Sequence, residues 1–288
     1  MTYRLLALFG TILGGLPVRG VAALGRAFGL WVGFVLRIRL GEVRRALEET
    51  RVGASARVVY GRLGARLFLL LRAWSKPSAP YVRISHEAES RFPEGPFVLA
   101  GTHTGAWELA AFALRRTNRQ VACIVHPPSV RPVRDFLTAL RLRGGIVEIE
   151  PEGALSRATD ELTSGKVVVC VADQVPRSKK HGIHSSFLGK PAWVDKAAAV
   201  LATRARVPLV VCGAHGEPGS EAAVVLDVLH PDGSGGVERL ALRAHEVVEA
   251  FVRAHPEDWL WLHRRWREPK ELRASAVALP LELSAGEG

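Results

Sequence analysis

The chain has 288 residues, with 39 Lys and Arg against 28 Asp and Glu for a net charge of +11, and it is 48% hydrophobic and 23% charged. That length suffices for one large domain or two small ones, and the near-average apolar and charged fractions exclude a wholly disordered, collagen-like or disulfide-scaffold protein. The charge is unevenly placed: residues 1–83 carry 14 basic and three acidic residues, whereas 84–288 carry 25 of each. A basic excess confined to the N-terminal third serves a nucleic acid, an anionic membrane surface or an acidic partner.

What surrounds the arginines decides between these. Leu5 to Val18 is an uncharged run, Arg19 and Arg26 follow, and Ala27 to Leu36 is again uncharged before Arg37 and Arg39. Fourteen residues are short for a spanning helix, which needs about 20, but arginines snorkel, and Leu5–Leu36 is long enough to insert or lie in the interface. The small-residue cleavage site of a secretory signal is poor here. The arginines alternate with Leu, Phe, Val and Gly and no groove-reading motif is present, which argues against nucleic acid. Residues 1–40 are therefore read as a membrane-associated segment and 41–76 as a basic amphipathic helical region, helical over 42–74 and continuing the membrane-facing zone.

Lys76-Pro77-Ser78-Ala79-Pro80 breaks that pattern and opens an α/β domain over 77–267. Strand-length apolar runs at Phe97–Gly101, Val121–Val125, Ile146–Ile149, Val167–Ala172, Pro208–Gly213 and Ala222–Leu229 alternate with helical stretches near 106–116, 131–142, 153–164 and 192–205. Such alternation predicts an α/β fold, a mainly parallel central sheet flanked by helices, with functional residues in the loops at the carboxyl ends of the strands. A helix over Val237–Ala254 and the aromatic run Trp259–Trp266 close the domain, and 268–288 is a loosely ordered tail. Cys123, Cys170 and Cys212 each lie in or beside an apolar run without metal-binding spacing, as buried small hydrophobes in a reducing compartment do.

Four segments can carry chemistry. In Gly101-Thr102-His103-Thr104-Gly105-Ala106-Trp107-Glu108, His103 falls in a strand-to-helix turn, and Glu108 follows on the opening helical turn as a carboxylate able to hold the imidazole's tautomer. Ala172-Asp173-Gln174 again ends an apolar strand, where Asp173 either caps a polar loop or walls a site, followed by the cations Arg177, Lys179 and Lys180. The spacing of His103, Asp173, His181 and His184 is not diagnostic of a metal. Arg141 and Arg143 close a helix, where cations are favoured electrostatically in any case. Pro256–Trp266 alternates Trp with basic residues, as an interfacial belt or a packed terminal helix does.

Together and in this order, these segments resemble the late acyltransferases of lipid A biosynthesis, the lauroyl/myristoyl transferase family of the lysophospholipid acyltransferase superfamily. His103–Glu108 is similar to its His-x4-Asp/Glu signature, Arg141-Leu142-Arg143-Gly144 to its Arg-x-Arg-aromatic-Gly block, and Ala172-Asp173-Gln174 to its Ala-Asp-Gln step. Phe187-Leu188-Gly189-Lys190-Pro191-Ala192 and Pro256–Trp266 match two further blocks. The resemblance implies acyl transfer from a thioester, carried by acyl carrier protein or coenzyme A, to a hydroxyl of a phosphorylated glycolipid at the cytoplasmic face of a bacterial inner membrane, with no cofactor and no metal. It implies His103 as general base, Glu108 as its supporting carboxylate, Arg143 ahead of Arg141 as phosphate ligand, Asp173 as a residue that positions the acceptor or a network supporting the base, Gln174 as substrate-binding, and oxyanion donors among the backbone amides after His103. Thr102 stands in place of Asn, Gly144 in place of an aromatic residue and His126-Pro127-Pro128 in place of Tyr-Arg-Pro. These departures bear on the acceptor more than on the reaction, since relatives acylate other glycolipids. The competing readings are a transferase for another glycolipid or lysophospholipid, a non-catalytic lipid-binding member of the fold, and a hydrolase, which lacks its Gly-x-Ser-x-Gly elbow here.

Overall fold

The computed structural model describes residues 3–77, 81–231 and 236–269; the expected break at Ser78-Ala79-Pro80 and the tail beyond 269 lie outside the described residues. The chain begins with helices α1 (Arg4–Gly14) and α2 (Val18–Leu30), the latter continuing through a π-helical turn at Trp31–Val35. The expected single helix over 42–74 is two, α3 (Leu40–Thr50) and α4 (Ala56–Arg72). Arg51 ends α3 in the left-handed conformation, and Ser55 caps α4 by accepting the Val58 N–H at 3.3 Å.

The α/β part follows in the order β1 (Val82–Ile84), α5 (His86–Ser90), β2 (Val98–Gly101), α6 (Trp107–Arg115), β3 (Val121–Ile124), α7 (Arg131–Arg143), β4 (Ile146–Ile149), α8 (Ala154–Thr163) and β5 (Val167–Val171). A hairpin β6 (Gly182–Phe187) and β7 (Lys190–Asp195), then α9 (Ala197–Ala205), β8 (Leu209–His215), β9 (Glu221–Leu229) and α10 (Gly236–Ala254), complete it. Seven strands form one sheet ordered β1-β9-β8-β2-β5-β3-β4, parallel throughout except for the antiparallel β8–β9 pair. This is the expected fold, a mainly parallel sheet with helices on both faces.

Two details differ from the sequence reading. Residues 192–195, expected to be helical, belong to β7, because the Leu188-Gly189 turn (φ +52° and +79°) folds Lys190–Asp195 back onto Gly182–Phe187 as a hairpin. The short strand Val82–Ile84 was not expected from the sequence, being only three residues long. Alternate residues of the central strands feed two cores. Val98, Ala100, Val168 and Cys170 pack on the face covered by α8, α9 and α10, while Phe97, Val121, Cys123 and Val169 pack on the face covered by α6, α7 and the N-terminal helices. All three cysteines are buried, and burial pushes each thiol up to about 12. The folded protein should therefore leave all three unreacted with a thiol-specific chromogenic disulfide at pH 8 and release three equivalents only after denaturation; rapid native labelling would contradict this burial.

The basic helix α4 is not wholly membrane-facing, as the sequence reading had it. Arg66 and Arg72 are buried. Arg66 donates to Glu221 at 2.6 Å and to Asp258, Arg62 reaches Asp258 at 2.5 Å, and Arg72 bonds the Tyr81 hydroxyl. These contacts bind the N-terminal helices into the α/β body. α2 and α4 also approach to backbone contact: a Cβ at Gly29 would stand 2.0 Å from the Tyr60 carbonyl oxygen, and one at Gly64 would stand 2.2 Å from that of Gly25. On their outer side α1 and α2 expose Leu5, Leu8, Ile12, Leu24 and Trp31. Val18–Val35 is long and apolar enough to cross a membrane by length and composition, with 28% of it buried in the protein.

Candidate active site

Strands β2 and β5 are adjacent and parallel with Gly101 opposite Val171, so the residues two positions beyond each end, His103 and Asp173, face one another across the carboxyl edge of the sheet. The turn carrying His103 needs Gly105: its φ is +59°, and a Cβ there would lie 2.6 Å from the Ala214 carbonyl oxygen. Thr102 and Thr104 bond each other through their hydroxyls, and Thr104 Oγ1 accepts the Ala214 N–H at 3.2 Å, which ties the turn to β8. From the other side, Gly105 donates to the Asp258 carbonyl at 2.9 Å and Leu260 to that of His103 at 3.0 Å. Arg66, which grips the Asp258 side chain, thereby links α4 to the histidine turn.

The Asp173 carboxylate accepts three bonds: His103 Nδ1 at 2.6 Å on Oδ1, and the His103 backbone N–H at 2.8 Å and Trp259 Nε1–H at 2.9 Å on Oδ2. Burial opposes its ionisation, but the adjacent imidazole and these bonds prevail and hold the carboxyl down at about 2. An ionised carboxylate only accepts, so Nδ1 carries a proton and the lone pair of the ring's base form lies on Nε2. His103 lines the cavity described below, and Trp107 packs edge-on against the ring at 5.3 Å.

The carboxylate expected on His103 was that of Glu108. Among the described residues the two side chains share no hydrogen bond; α6 turns Glu108 toward α7, where Arg141 donates to it from Nε at 3.1 Å and Nη2 at 2.7 Å. Arg141 also donates to Glu148 at 2.6 Å and is buried. Burial works against its charge, yet Glu108 and Glu148 hold its pKa above the ordinary arginine value. Arg143, ranked first as a phosphate ligand by the sequence, lies away from the cavity: it stacks on the Trp74 ring at 4.6 Å and donates to the Trp74 carbonyl at 3.1 Å. Gly144 cannot be the aromatic residue of the resembling block, because a Cβ there would lie 2.2 Å from the Phe112 ring.

His103, Glu108, Arg141 and Gln174 all line one cavity of about 1530 Å³, larger than the roughly 300–1,000 Å³ of ordinary small-molecule sites. One end is apolar, built by Phe9, Phe28, Leu67 and Phe68 of the N-terminal helices with Phe136 and Leu137 of α7. Phe9, Phe28 and Leu67 are also exposed, so this end is continuous with the apolar outer surface. The other end holds His126, Arg177, His181, His263 and Arg267. Burial, helped by Arg267, lowers His263 to about 4, so it is neutral at physiological pH. The sequence pointed to neither the His126 nor the His263 placement, since both depend on loops far apart in the chain.

The aromatic run after α10 is a buried turn, neither belt nor helix: Trp259 and Trp261 pack edge to face at 4.9 Å, and Trp259 positions Asp173. Arg265 beside them is fully buried, lies 5.0 Å over the Phe187 ring and has no hydrogen-bond partner among the described residues. Burial brings its pKa down to about 10.

The crystal structure of the 1-acyl-sn-glycerophosphate acyltransferase PlsC from Thermotoga maritima is similar at 16% identity and a TM-score of 0.42, covering 88% of this chain and 96% of that one. Among curated proteins, no sequence matches this chain. The family model described as bacterial lipid A biosynthesis acyltransferase matches residues 84–268, a span that runs from β1 through the histidine turn, Asp173 and the buried Trp segment. This chain belongs to that family, and it is an acyltransferase.

Proposed function

We propose that the protein transfers a fatty acyl chain from a thioester, carried by acyl carrier protein, to a hydroxyl of a lipid A precursor. The observation that carries this reading is His103, braced by the buried Asp173 and lining a cavity whose apolar end opens onto the exposed faces of α1, α2 and α4. An acyl chain fits the apolar end and places its thioester at His103. Nε2 takes the proton of the acceptor hydroxyl as its oxygen attacks the thioester carbonyl. The tetrahedral intermediate then collapses, and the departing thiolate receives that proton from His103, leaving ester and thiol. Asp173 stabilises the imidazolium between these steps. Gly105 N–H is committed to the Asp258 carbonyl, so the oxyanion donors we infer are the first-turn amides of Trp107 and Glu108. Glu108 and Arg141 act as a fixed pair in the wall, and Gln174 positions substrate.

The apolar residues of α1 and α2, with the basic N-terminal third, support seating on the cytoplasmic face of a bacterial inner membrane. In this reading residues 1–40 are the membrane-associated segment, 41–76 the basic region and 77–267 the acyltransferase domain. The test is transfer of radiolabelled acyl chain from acyl carrier protein to a phosphorylated, partly acylated glucosamine disaccharide lipid, using membranes that contain the wild type or His103→Ala. Product from the wild type alone is expected, with a loss of about 10²–10⁴-fold in the variant. Wild-type rates from a folded His103→Ala would overturn the base assignment. Transfer only from acyl-coenzyme A, or only to another glycolipid, would replace the donor or the acceptor.

A further inference from the structure

The cations that the sequence singled out for phosphate are poorly placed for it. Arg141 is shared between Glu108 and Glu148, so that trio already carries a net negative charge, and Arg143, though exposed, stacks on Trp74 and does not line the cavity. Two other arginines line the cavity: Arg177, in the loop after β5, and Arg267, after the buried Trp turn. The loops that carry them lie side by side, since Val175 N–H reaches His263 Nε2 at 3.5 Å and Lys179 pairs with Glu268 at 3.3 Å. Both heads are accessible: Arg267 is exposed, and Arg177 has only a 3.5 Å contact with Glu152 in which both side chains are more than half exposed. An ion pair of that kind contributes little and is readily exchanged. His126 and His181 complete this end with Asp195, whose pKa burial raises against the opposing effect of the Ala197 N–H that it accepts at 2.8 Å.

We propose that Arg177 and Arg267 form a phosphate-binding subsite at the polar end of the cavity, which holds the phosphate of one of the two substrates while the acyl chain occupies the apolar end. The inference rests on the acyltransferase reading above. Guanidinium forks match phosphate oxygens two at a time, and two of them converging from separate loops would fix a phosphate's distance from His103. The phosphate comes either from the phosphopantetheine arm of the donor or from the glycolipid acceptor.

The test measures binding to the full chain in detergent, without turnover, using two matched pairs of probes. These are 4′-phosphopantetheine against pantetheine, and a phosphorylated against a dephosphorylated glucosamine disaccharide lipid. The wild type should prefer the phosphorylated member of one pair by about a hundredfold, and Arg177→Gln with Arg267→Gln should abolish that preference, about tenfold per arginine. The Lys double variant should retain part of it, which a structural role would not predict. Loss in the first pair assigns the subsite to the donor, and loss in the second assigns it to the acceptor. A double Gln variant that keeps the wild-type preference, or a wild type without preference in either pair, overturns the proposal. A wild type that binds phosphate but transfers no acyl chain leaves the subsite standing and refutes the acyltransfer reading instead.

Discussion

Asp173→Asn is expected to lower kcat by about 10²–10⁴-fold with little change in acceptor KM, whereas Glu108→Gln is expected to cost far less in kcat. The reason lies in the donors around residue 173. Trp259 Nε1–H and the His103 backbone N–H both point at Oδ2, so an asparagine must place its carbonyl oxygen there and turn its NH2 toward His103. That NH2 is a donor, so Nδ1 must become the acceptor and the proton moves to Nε2. The imidazole is then held in the tautomer that cannot take a proton from the acceptor hydroxyl. Glu108→Gln leaves His103 and Asp173 untouched and weakens only the Arg141 contact. Steady-state kinetics on both variants separates the cases: a large kcat loss in Glu108→Gln with a near-normal Asp173→Asn would return the supporting role to Glu108.

Gly64→Ala should destabilise the protein by about 1–3 kcal/mol, although alanine is the better helix former by about 1 kcal/mol. The Cβ would sit 2.2 Å from the Gly25 carbonyl oxygen and 2.6 Å from the Gly29 Cα, all backbone, so α2 must move away from α4. Gly61→Ala, one turn earlier on the same helix, meets nothing within 4 Å and should stabilise by up to about 1 kcal/mol. Opposite shifts of Tm, roughly 2–4 °C per kcal/mol, are the expected signature in a thermal melt. A Gly64→Ala protein as stable as Gly61→Ala would show that the close seam does not hold the helices together. Because Phe28 of α2 and Leu67 of α4 line the apolar end of the cavity, separation of these helices should also raise the KM for acyl donor.

The sequence by itself determined the alternation of strands and helices, the basic and apolar character of the N-terminal third, and the residue types able to do acyl transfer. Those signals are local: a buried strand reads as an apolar run, and a histidine after it falls in a turn whatever the neighbouring strands are. Only the tertiary structure decided which groups meet. β2 and β5 are neighbours although β3 and β4 intervene in the chain, and the register that sets Gly101 beside Val171 brings Asp173, 70 positions away, onto His103. Glu108 was the nearer candidate in sequence, but the first turn of α6 carries it to Arg141. The hairpin turn at Leu188-Gly189, the inward side of α4 and the burial of Trp259 likewise depend on partners far along the chain. A linear pattern records each residue's own chemistry, whereas hydrogen bonds and ion pairs form between residues that strand order and packing bring together.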